Sequence, residues 1–362
     1  MAWTGQDVDG LVNMKSIEID GRRVGAGEPA FVIAEIGVNH NGNMEMARQL
    51  VDLAADTGAD AVKFQTFKAE KLASSAASLA PYQKRAGEAA GSQVALLRPL
   101  ELNEASHVEL KSQCLARGVA FLSTPFDEES ADMLERLSVP AFKVSSGDLT
   151  NLPFLRHLAR KAKPLIVSTG MANLAEVEGA VDAMEASGVP SFALLHCVSS
   201  YPASASDANL RAISVLRDAF QCPVGWSDHT VTHAVSWAAV ALGASIIEKH
   251  ITLDRSLPGP DHAASTGPEE FREFVTGIRT IESALGSGRK HMRLAEQQIA
   301  DVARRSLVAL VDIPEGVTIA DSHIGQRRPG TGLSPALRHL VVGKRARRSI
   351  SAGSLISLGS LE

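Results

Sequence analysis

The sequence predicts an α/β fold, a closed (β/α)8 barrel of the TIM type followed by a small C-terminal β domain. Three observations predict it. Eight short apolar, β-branched runs recur along the chain, and each is followed by a longer amphipathic stretch. No GxGxxG follows any run, which argues against an open dinucleotide-binding sheet. After Gly286 the pattern changes to short strands separated by turns.

In chain order, residues 15–27 (KSIEIDGRRVGAG) alternate around an Asp-Gly turn and predict a β-hairpin that closes the N-terminal end of the barrel. The eight runs are FVIAEI (31–36), DAVKFQT (60–66), AFLSTP (120–125), AFKVSS (141–146), PLIVST (164–169), ALLHCV (193–198), VGWSDH (224–229) and SIIEKHI (245–251). They have the composition of buried parallel strands. Between them the period becomes helical. In 43–59, Met46, Ala47, Leu50, Val51 and Ala54 recur on one face, with Arg48, Gln49, Asp52 and Asp56 opposite. Similar patterns cover 103–117, 128–138, 151–162, 174–187, 207–219, 232–243 and 268–285, with glycines at 58, 118, 188, 243 and 286 as helix stops. The segment 68–100 is a long excursion after the second run, of the kind used as a lid or partner contact. The expected domains are 1–288 for hairpin plus barrel, 289–302 for a polar, basic linker, and 303–362 for a β domain with strands at SLVALV, GVTIA, LVVG and SLISL. Roughly 60 residues make a marginal core, so this domain is expected to dock on something.

Composition narrows the function. With 45% hydrophobic and 21% charged residues, the chain is an ordinary globular protein. It contains no run of the roughly 20 apolar residues that span a bilayer and no signal-like N-terminus, so a cytoplasmic protein with no membrane partner is expected. Three cysteines in apolar stretches fit reduced thiols. The net charge of −5 is uneven, with 25 Lys+Arg against 35 Asp+Glu in 1–289 and 11 against 6 in 290–362. The basic tail has no aromatic residue to stack bases, so no nucleic-acid partner is expected.

In such a barrel the active site lies at the C-terminal strand ends. Polar residues collect there: Glu35, Lys63, Gln65, Thr124, Lys143, Ser146, Asp148, Ser168, Ser199, Tyr201, Ser227, His229, Glu248 and His250. Burying each unpartnered polar group costs about 1–3 kcal/mol, which packing alone does not explain. Lys63 and Lys143 stand inside apolar runs. They suit anion binding, with Thr124, Ser146 and Ser168 completing a phosphate and carboxylate cradle. Two other readings stay open, an ion pair with Glu35 or Glu248 and a Schiff-base lysine. His229 and His250 end neighbouring strands, and an imidazole pair in one mouth suits a labile divalent ion with open positions.

The strings AEIGVNHNG (34–42), VKFQT (62–66), LSTPFD (122–127), FKVSSGD (142–148), STGM (168–171), SYP (200–202), SDHT (227–230), EKHIT (248–252), PGPDH (258–262) and RRPGTG (327–332) resemble those of the bacterial sialic acid (N-acetylneuraminate) synthases. That family carries a C-terminal antifreeze-protein-like (SAF) β-clip domain. The resemblance implies a transferase that condenses phosphoenolpyruvate with an open-chain N-acetylated hexosamine, N-acetylmannosamine in the main reading. It implies that His229 and His250 hold a divalent metal, Mn2+ first, with Mg2+ or Co2+ as alternatives. Lys63, Thr124, Lys143, Ser146, Ser168 and Ser227 match positions that hold phosphoenolpyruvate. Gln65, Tyr201 and Asp261 match sugar-binding positions, and Glu35 the acid/base. Arg328 matches an arginine that reaches the partner's site in a domain-swapped homodimer. Ser199 and Asp148, both substrate-site positions, depart from the pattern: some relatives have Asn at the first and many have Glu at the second. An acceptor of the legionaminic acid type, 2,4-diacetamido-2,4,6-trideoxymannose, is the alternative. The competing classes are an imine-forming aldolase and a non-catalytic sugar-binding homologue.

Overall fold

A computed structural model describes residues 15–74, 77 and 91–362. The chain divides into two compact units, one ending at Gly286 and the other beginning at Ser287.

In the first unit, β1 (Ile17–Ile19) and β2 (Arg22–Val24) form the expected antiparallel hairpin. Eight parallel strands follow: β3 (Phe31–Gly37), β4 (Ala61–Thr66), β5 (Ala120–Pro125), β6 (Phe142–Val144), β7 (Leu165–Ser168), β8 (Phe192–Cys197), β9 (Val224–Asp228) and β10 (Ile246–His250). Their order is β5-β4-β3-β10-β9-β8-β7-β6, and β5 lies against β6, which closes the sheet into a TIM-like barrel. Around it run α1 (Met44–Asp56), α2 (Glu104–Arg117), α3 (Glu128–Arg136), α4 (Leu152–Ala159), α5 (Leu174–Glu185), α6 (Ala212–Phe220), α7 (His233–Ala241) and α8 (Pro268–Leu285). Five of them start on an Asn or Asp cap, at 43, 103, 127, 151 and 173, whose side chain accepts an otherwise unpaired helix N–H. Each such cap contributes about 1 kcal/mol. Helix α6 begins five residues later than its pattern suggested, after a 3-10 turn at Ala205–Asp207.

Strand periodicity decides what points inward. In β3, Val32, Ala34 and Ile36 pack outward on the helix layer, while Phe31 and Ile33 join an inner cluster with Ala61, Ala120, Leu122, Ala141, Ile166, Ala193, Leu195 and Ile246. The hairpin contributes Ile17, Ile19 and Val24 to that inner cluster and so plugs the N-terminal end of the barrel. Two residues further along each strand, the same inward parity brings up Glu35, Lys63, Thr124, Lys143, Ser168, Cys197 and Glu248. The apolar floor and the polar mouth are consecutive layers of one interior.

The long excursion is described at Ala69–Leu72, Gln93–Leu97 and Arg98–Leu100, where it packs over Val38 and Phe67. The rest of it, 75–76 and 78–90, lies outside the described residues, as does the N-terminal stretch 1–14. Among the described residues, no helix is long and apolar enough to cross a membrane.

The second unit holds β11 (Ser306–Ala309) and β12 (Ile324–Arg327), an antiparallel pair, with isolated bridges such as Ile313 to Ile350 and Thr318 to Arg345. Leu307, Ile313, Ile319, Ile324, Val341, Ala346, Ile350 and Ile356 form its core. The LVVG stretch expected as a strand instead ends a short helix, Arg338–Val341, that follows Pro335 and drops Val341 into this core.

Candidate active site

The mouth of the barrel opens into a cavity of about 560 Å³ lined from all eight barrel strands. A larger open groove, about 720 Å³, runs along α7 and α8 beside Trp237, but none of the strand-end residues reaches it.

Two lysines and two carboxylates form the floor of the cavity. Parallel pairing sets Glu35 beside Lys63, and Lys63 Nζ lies 2.8 Å from Glu35 Oε2 and 4.0 Å from Glu248 Oε2. Lys63 also donates to Thr124 Oγ1 at 2.8 Å. Lys143 donates to Ser168 Oγ at 2.7 Å and to Val144 O at 3.1 Å, and lies 3.6 Å from Glu248 Oε1. Ser227 Oγ donates to that same oxygen at 3.1 Å. Both lysines and both carboxylates are buried. Lys63 and Lys143 thus stand beside carboxylates, as the ion-pair reading has it, and both line the cavity as well.

Both carboxyl groups are buried, and the lysines separate them. Burial raises Glu35 to about 7, against the pull of Lys63. Burial also acts to raise Glu248, but Lys143 and Lys63 outweigh it and hold Glu248 at about 2. One carboxyl therefore exchanges a proton near neutrality while its neighbour stays anionic, the division that acid/base work requires. Burial lowers Lys143, opposed by Glu248, whereas for Lys63 the attraction of Glu248 and Glu35 outweighs burial and raises it.

The imidazoles of His229 and His250 lie 5.7 Å apart, ring centre to ring centre, and Tyr201 stands 4.1 Å from the first and 5.9 Å from the second. His229 Nδ1–H donates to Val198 O at 2.8 Å, which fixes the tautomer and leaves Nε2 with a free lone pair. His250 Nδ1 is buried without a hydrogen-bond partner, and Asp261 Oδ2 lies 3.9 Å away. Burial lowers both histidines, His250 well below its ordinary value with His229 adding to the effect, a direction that favours the neutral ring in each. Neutral rings with open nitrogens are what a divalent cation takes as ligands. Among the described residues, no third His, Cys, Asp or Glu joins the pair in a group that could hold a metal ion.

Asp261 arrives on the loop after β10. Asn39 Nδ2 donates to Ile251 O at 2.9 Å and to Ser265 Oγ at 2.8 Å, and Ser265 Oγ donates to Asp261 O at 2.6 Å. Burial raises Asp261 to about 6. Gln65 Nε2 donates to Glu35 Oε1 at 3.3 Å. Gly37 has φ +55°, and a Cβ there would lie 3.1 Å from Glu35 Oε1 and 3.3 Å from Gln65 Nε2, so the turn ending β3 lets the chain pass close to these groups. On the opposite wall, Ser146 Oγ accepts from Gly170 N–H at 3.0 Å and meets Cys197 Sγ at 3.1 Å.

Of the site residues expected from sequence, Glu35, Lys63, Gln65, Thr124, Lys143, Ser146, Ser168, Ser199, Tyr201, Ser227, His229, His250 and Asp261 all line this cavity. Asp148 does not. Its carboxylate accepts from Ser145 Oγ at 2.8 Å and Asn151 Nδ2 at 3.3 Å, which turns it into the 3-10 turn Ser146–Asp148. Arg328 belongs to the second unit, where its Nε donates to Ala303 O at 3.1 Å. Glu248, noted from sequence only as a strand-end carboxylate and possible counterion, and Cys197, not noted as a site residue, both line the cavity as well. Inward parity with Ile246 and Leu195 was the signal that could have found them.

Comparison with known proteins gives two family matches, the NeuB family over residues 50–290 and the SAF domain over residues 304–362. The chain is 45% identical over 336 residues to the N,N'-diacetyllegionaminic acid synthase of Legionella pneumophila, covering 92% of this chain and 94% of that protein. It is 38% identical over 302 residues to the N-acetylneuraminate-9-phosphate synthase of Mus musculus, covering 83% of each. Among solved structures, the N-acetylneuraminic acid synthetase of Leptospira borgpetersenii in complex with citrate superposes with a TM-score of 0.71 at 35% identity, over 79% of this chain and 95% of that one.

Proposed function

The chain belongs to the NeuB family, and from that premise we propose that it is a nonulosonate synthase, a transferase that joins phosphoenolpyruvate, water and an open-chain N-acetylated hexosamine into a nine-carbon 3-deoxy-2-keto acid and phosphate. The observation that carries this reading is the buried Lys63–Glu35–Glu248–Lys143 cluster at the strand ends beside an imidazole pair.

In this reading Lys63 and Lys143, with the hydroxyls of Thr124, Ser146, Ser168 and Ser227, hold the phosphate and carboxylate of phosphoenolpyruvate. The lysines are buried and already bonded to Thr124 and Ser168, so the anion meets donors that need little reorganisation. His229 and His250 would hold a divalent cation, Mn2+ first and Mg2+ or Co2+ as alternatives, which when bound supplies Lewis-acid polarisation of the acceptor aldehyde. Gln65, Tyr201 and Asp261 orient the acceptor. C3 of phosphoenolpyruvate bonds to the aldehyde carbon, whose oxygen takes a proton. Water bonds through oxygen to C2 and yields one proton, which Glu35, poised near 7, accepts and passes on to the oxygen of the former aldehyde. The bond from C2 to the bridging oxygen then breaks as the C2 hydroxyl becomes the keto carbonyl, and phosphate departs with the bridging oxygen and the proton of that hydroxyl. Lys143 is not assigned an imine role, because its ammonium is engaged by Ser168 Oγ, Val144 O and Glu248.

For the acceptor we favour 2,4-diacetamido-2,4,6-trideoxymannose. The higher identity to a legionaminic acid synthase, 45% against 38% for the N-acetylneuraminate-9-phosphate synthase, supports it. So do the apolar side chains on the cavity wall, Val38, Leu72, Leu97 and Phe126, which suit a 6-deoxy carbon better than a charged or hydroxylated one. N-acetylmannosamine, the acceptor expected from the sequence, is the second reading, favoured by the resemblance to the Leptospira synthetase. A cytoplasmic homodimer, in which Arg328 serves the partner's acceptor, completes the proposal. The test is phosphate release by chelated protein given phosphoenolpyruvate, Mn2+ and either sugar, with the product weighed by mass spectrometry. Selective turnover of the diacetamido sugar is expected. Turnover of N-acetylmannosamine alone would reassign the acceptor, and a product with neither sugar would overturn the function.

A further inference from the structure

Asp228 and Lys249 have the outward parity of β9 and β10, opposite to Ser227, Glu248 and the two imidazoles, and neither lines the cavity. Both are 2% exposed. Lys249 Nζ donates to Asp228 Oδ2 at 2.7 Å and to Thr230 O at 2.8 Å, and lies 5.7 Å from the centre of the Phe274 ring. Ser236 Oγ, from α7, donates to Asp228 Oδ2 at 2.7 Å. Asp228 Oδ1 accepts from Thr230 N–H and from Thr230 Oγ1, both at 2.8 Å.

Stability is a poor reason for such a pair, since apolar residues of similar volume often do as well or better in its place. Placement is the better reason. Asp228 directly precedes His229 and grips the N–H and hydroxyl of the residue that follows it. Lys249 directly precedes His250 and grips the carbonyl of that same Thr230. The backbone of His229 is therefore spanned from both sides by bonds anchored one residue from His250, at a point where the strand register already sets Lys249 beside Asp228.

We propose that Asp228 and Lys249 are positioning residues that fix the spacing of His229 and His250, and through it the affinity of the imidazole pair for a divalent cation. This rests on the reading of that pair as cation ligands. The test uses the full chain after chelation, with Mn2+ affinity read by titration calorimetry and by the electron paramagnetic resonance of free Mn2+, beside the unfolding temperature of the metal-free protein. The double variant Asp228→Leu/Lys249→Met replaces the pair with apolar groups, and Ser236→Ala loosens it without removing charge. The double variant is expected to fold and to bind Mn2+ about 10- to 100-fold more weakly, the usual effect of losing support behind a ligand. Ser236→Ala is expected to weaken binding in the same direction by less, and it decides the matter if the double variant does not fold. Wild-type Mn2+ affinity in the folded double variant, or in Ser236→Ala where the double variant is unfolded, would overturn the proposal and leave the ligand assignment standing. Wild-type protein that binds Mn2+ no better than His229→Ala would overturn both.

Discussion

Adding one methyl group at Gly170 probes the wall proposed to hold phosphate without touching any charge. A Cβ built there would lie 2.3 Å from Ser199 Oγ, 2.7 Å from Cys197 Sγ and 2.8 Å from Ser146 Oγ, closer than carbon approaches any of these atoms without displacement. The Ser199 hydroxyl can rotate away. Cys197 cannot, because it is 5% exposed at the end of β8, and Ser146 is held by the Gly170 N–H itself at 3.0 Å. Overpacking of this kind costs about 1–3 kcal/mol, which for a domain of this size lowers the unfolding temperature by roughly 2–10 °C. Moving Ser146 also removes a hydroxyl from the proposed phosphate cradle. A hydrogen bond to a charged group is worth about 1.5–3 kcal/mol, so the KM for phosphoenolpyruvate should rise about 10- to 100-fold while that for the acceptor stays near its wild-type value. The assay is the initial rate of phosphate release against phosphoenolpyruvate at saturating acceptor, paired with thermal unfolding. A Gly170→Ala protein with wild-type KM and unfolding temperature would refute both the close packing of this wall and its contact with phosphoenolpyruvate.

Four further outcomes follow from the same geometry. Gly37→Ala forces a left-handed alanine, at about 1–2 kcal/mol, and crowds Glu35 and Gln65, so it should lower kcat more than Lys→Arg changes on the outer surface do, as read from full rate curves. Lys143→Met leaves Glu248 with Lys63 at 4.0 Å and should destabilise the fold by about 3–5 kcal/mol, while Lys143→Met/Glu248→Gln should recover much of that stability in denaturant melts and none of the turnover. Glu35 faces Lys63, Gln65 and Glu248, and its folded value of about 7 lies above the ordinary carboxyl value of 4.5. The folded chain thus holds this proton more tightly, so the stability it contributes is present below about 4.5 and lost as pH rises through 7; in chelated protein, wild type should lose ground to Glu35→Gln between pH 5 and pH 8. Arg328→Ala should raise the acceptor KM and spare that of phosphoenolpyruvate, and unchanged kinetics would remove its assigned role.

The barrel was legible because its strands are buried on both faces and its helices on one, so β-branched runs and amphipathic stretches differ in composition as well as period. The site was legible where a residue type contradicted its surroundings: Lys63 and Lys143 inside apolar runs, His229 and His250 at strand ends. Glu248 was harder to assign, since a strand-end carboxylate reads equally well as a counterion, and the structure makes it the anion between both lysines. Asp148 shares a motif with Ser146, but a 3-10 turn rotates it onto Ser145 and Asn151, a local hydrogen-bond choice that strand parity does not encode. The LVVG stretch misled for a related reason. Short apolar runs do not distinguish strand from helix, and Pro335 favours the first turn of a helix.

In the proposed function, the lysine and carboxylate cluster at the strand ends directs condensation with cleavage of the C2–O bond of phosphoenolpyruvate. Phosphoenolpyruvate labelled with 18O at the bridging oxygen tests this most directly, with the released phosphate weighed after turnover with Mn2+ and the acceptor sugar. The label is expected in phosphate, one atom for each nine-carbon keto acid formed. Unlabelled phosphate would mean attack at phosphorus, and would contradict the account.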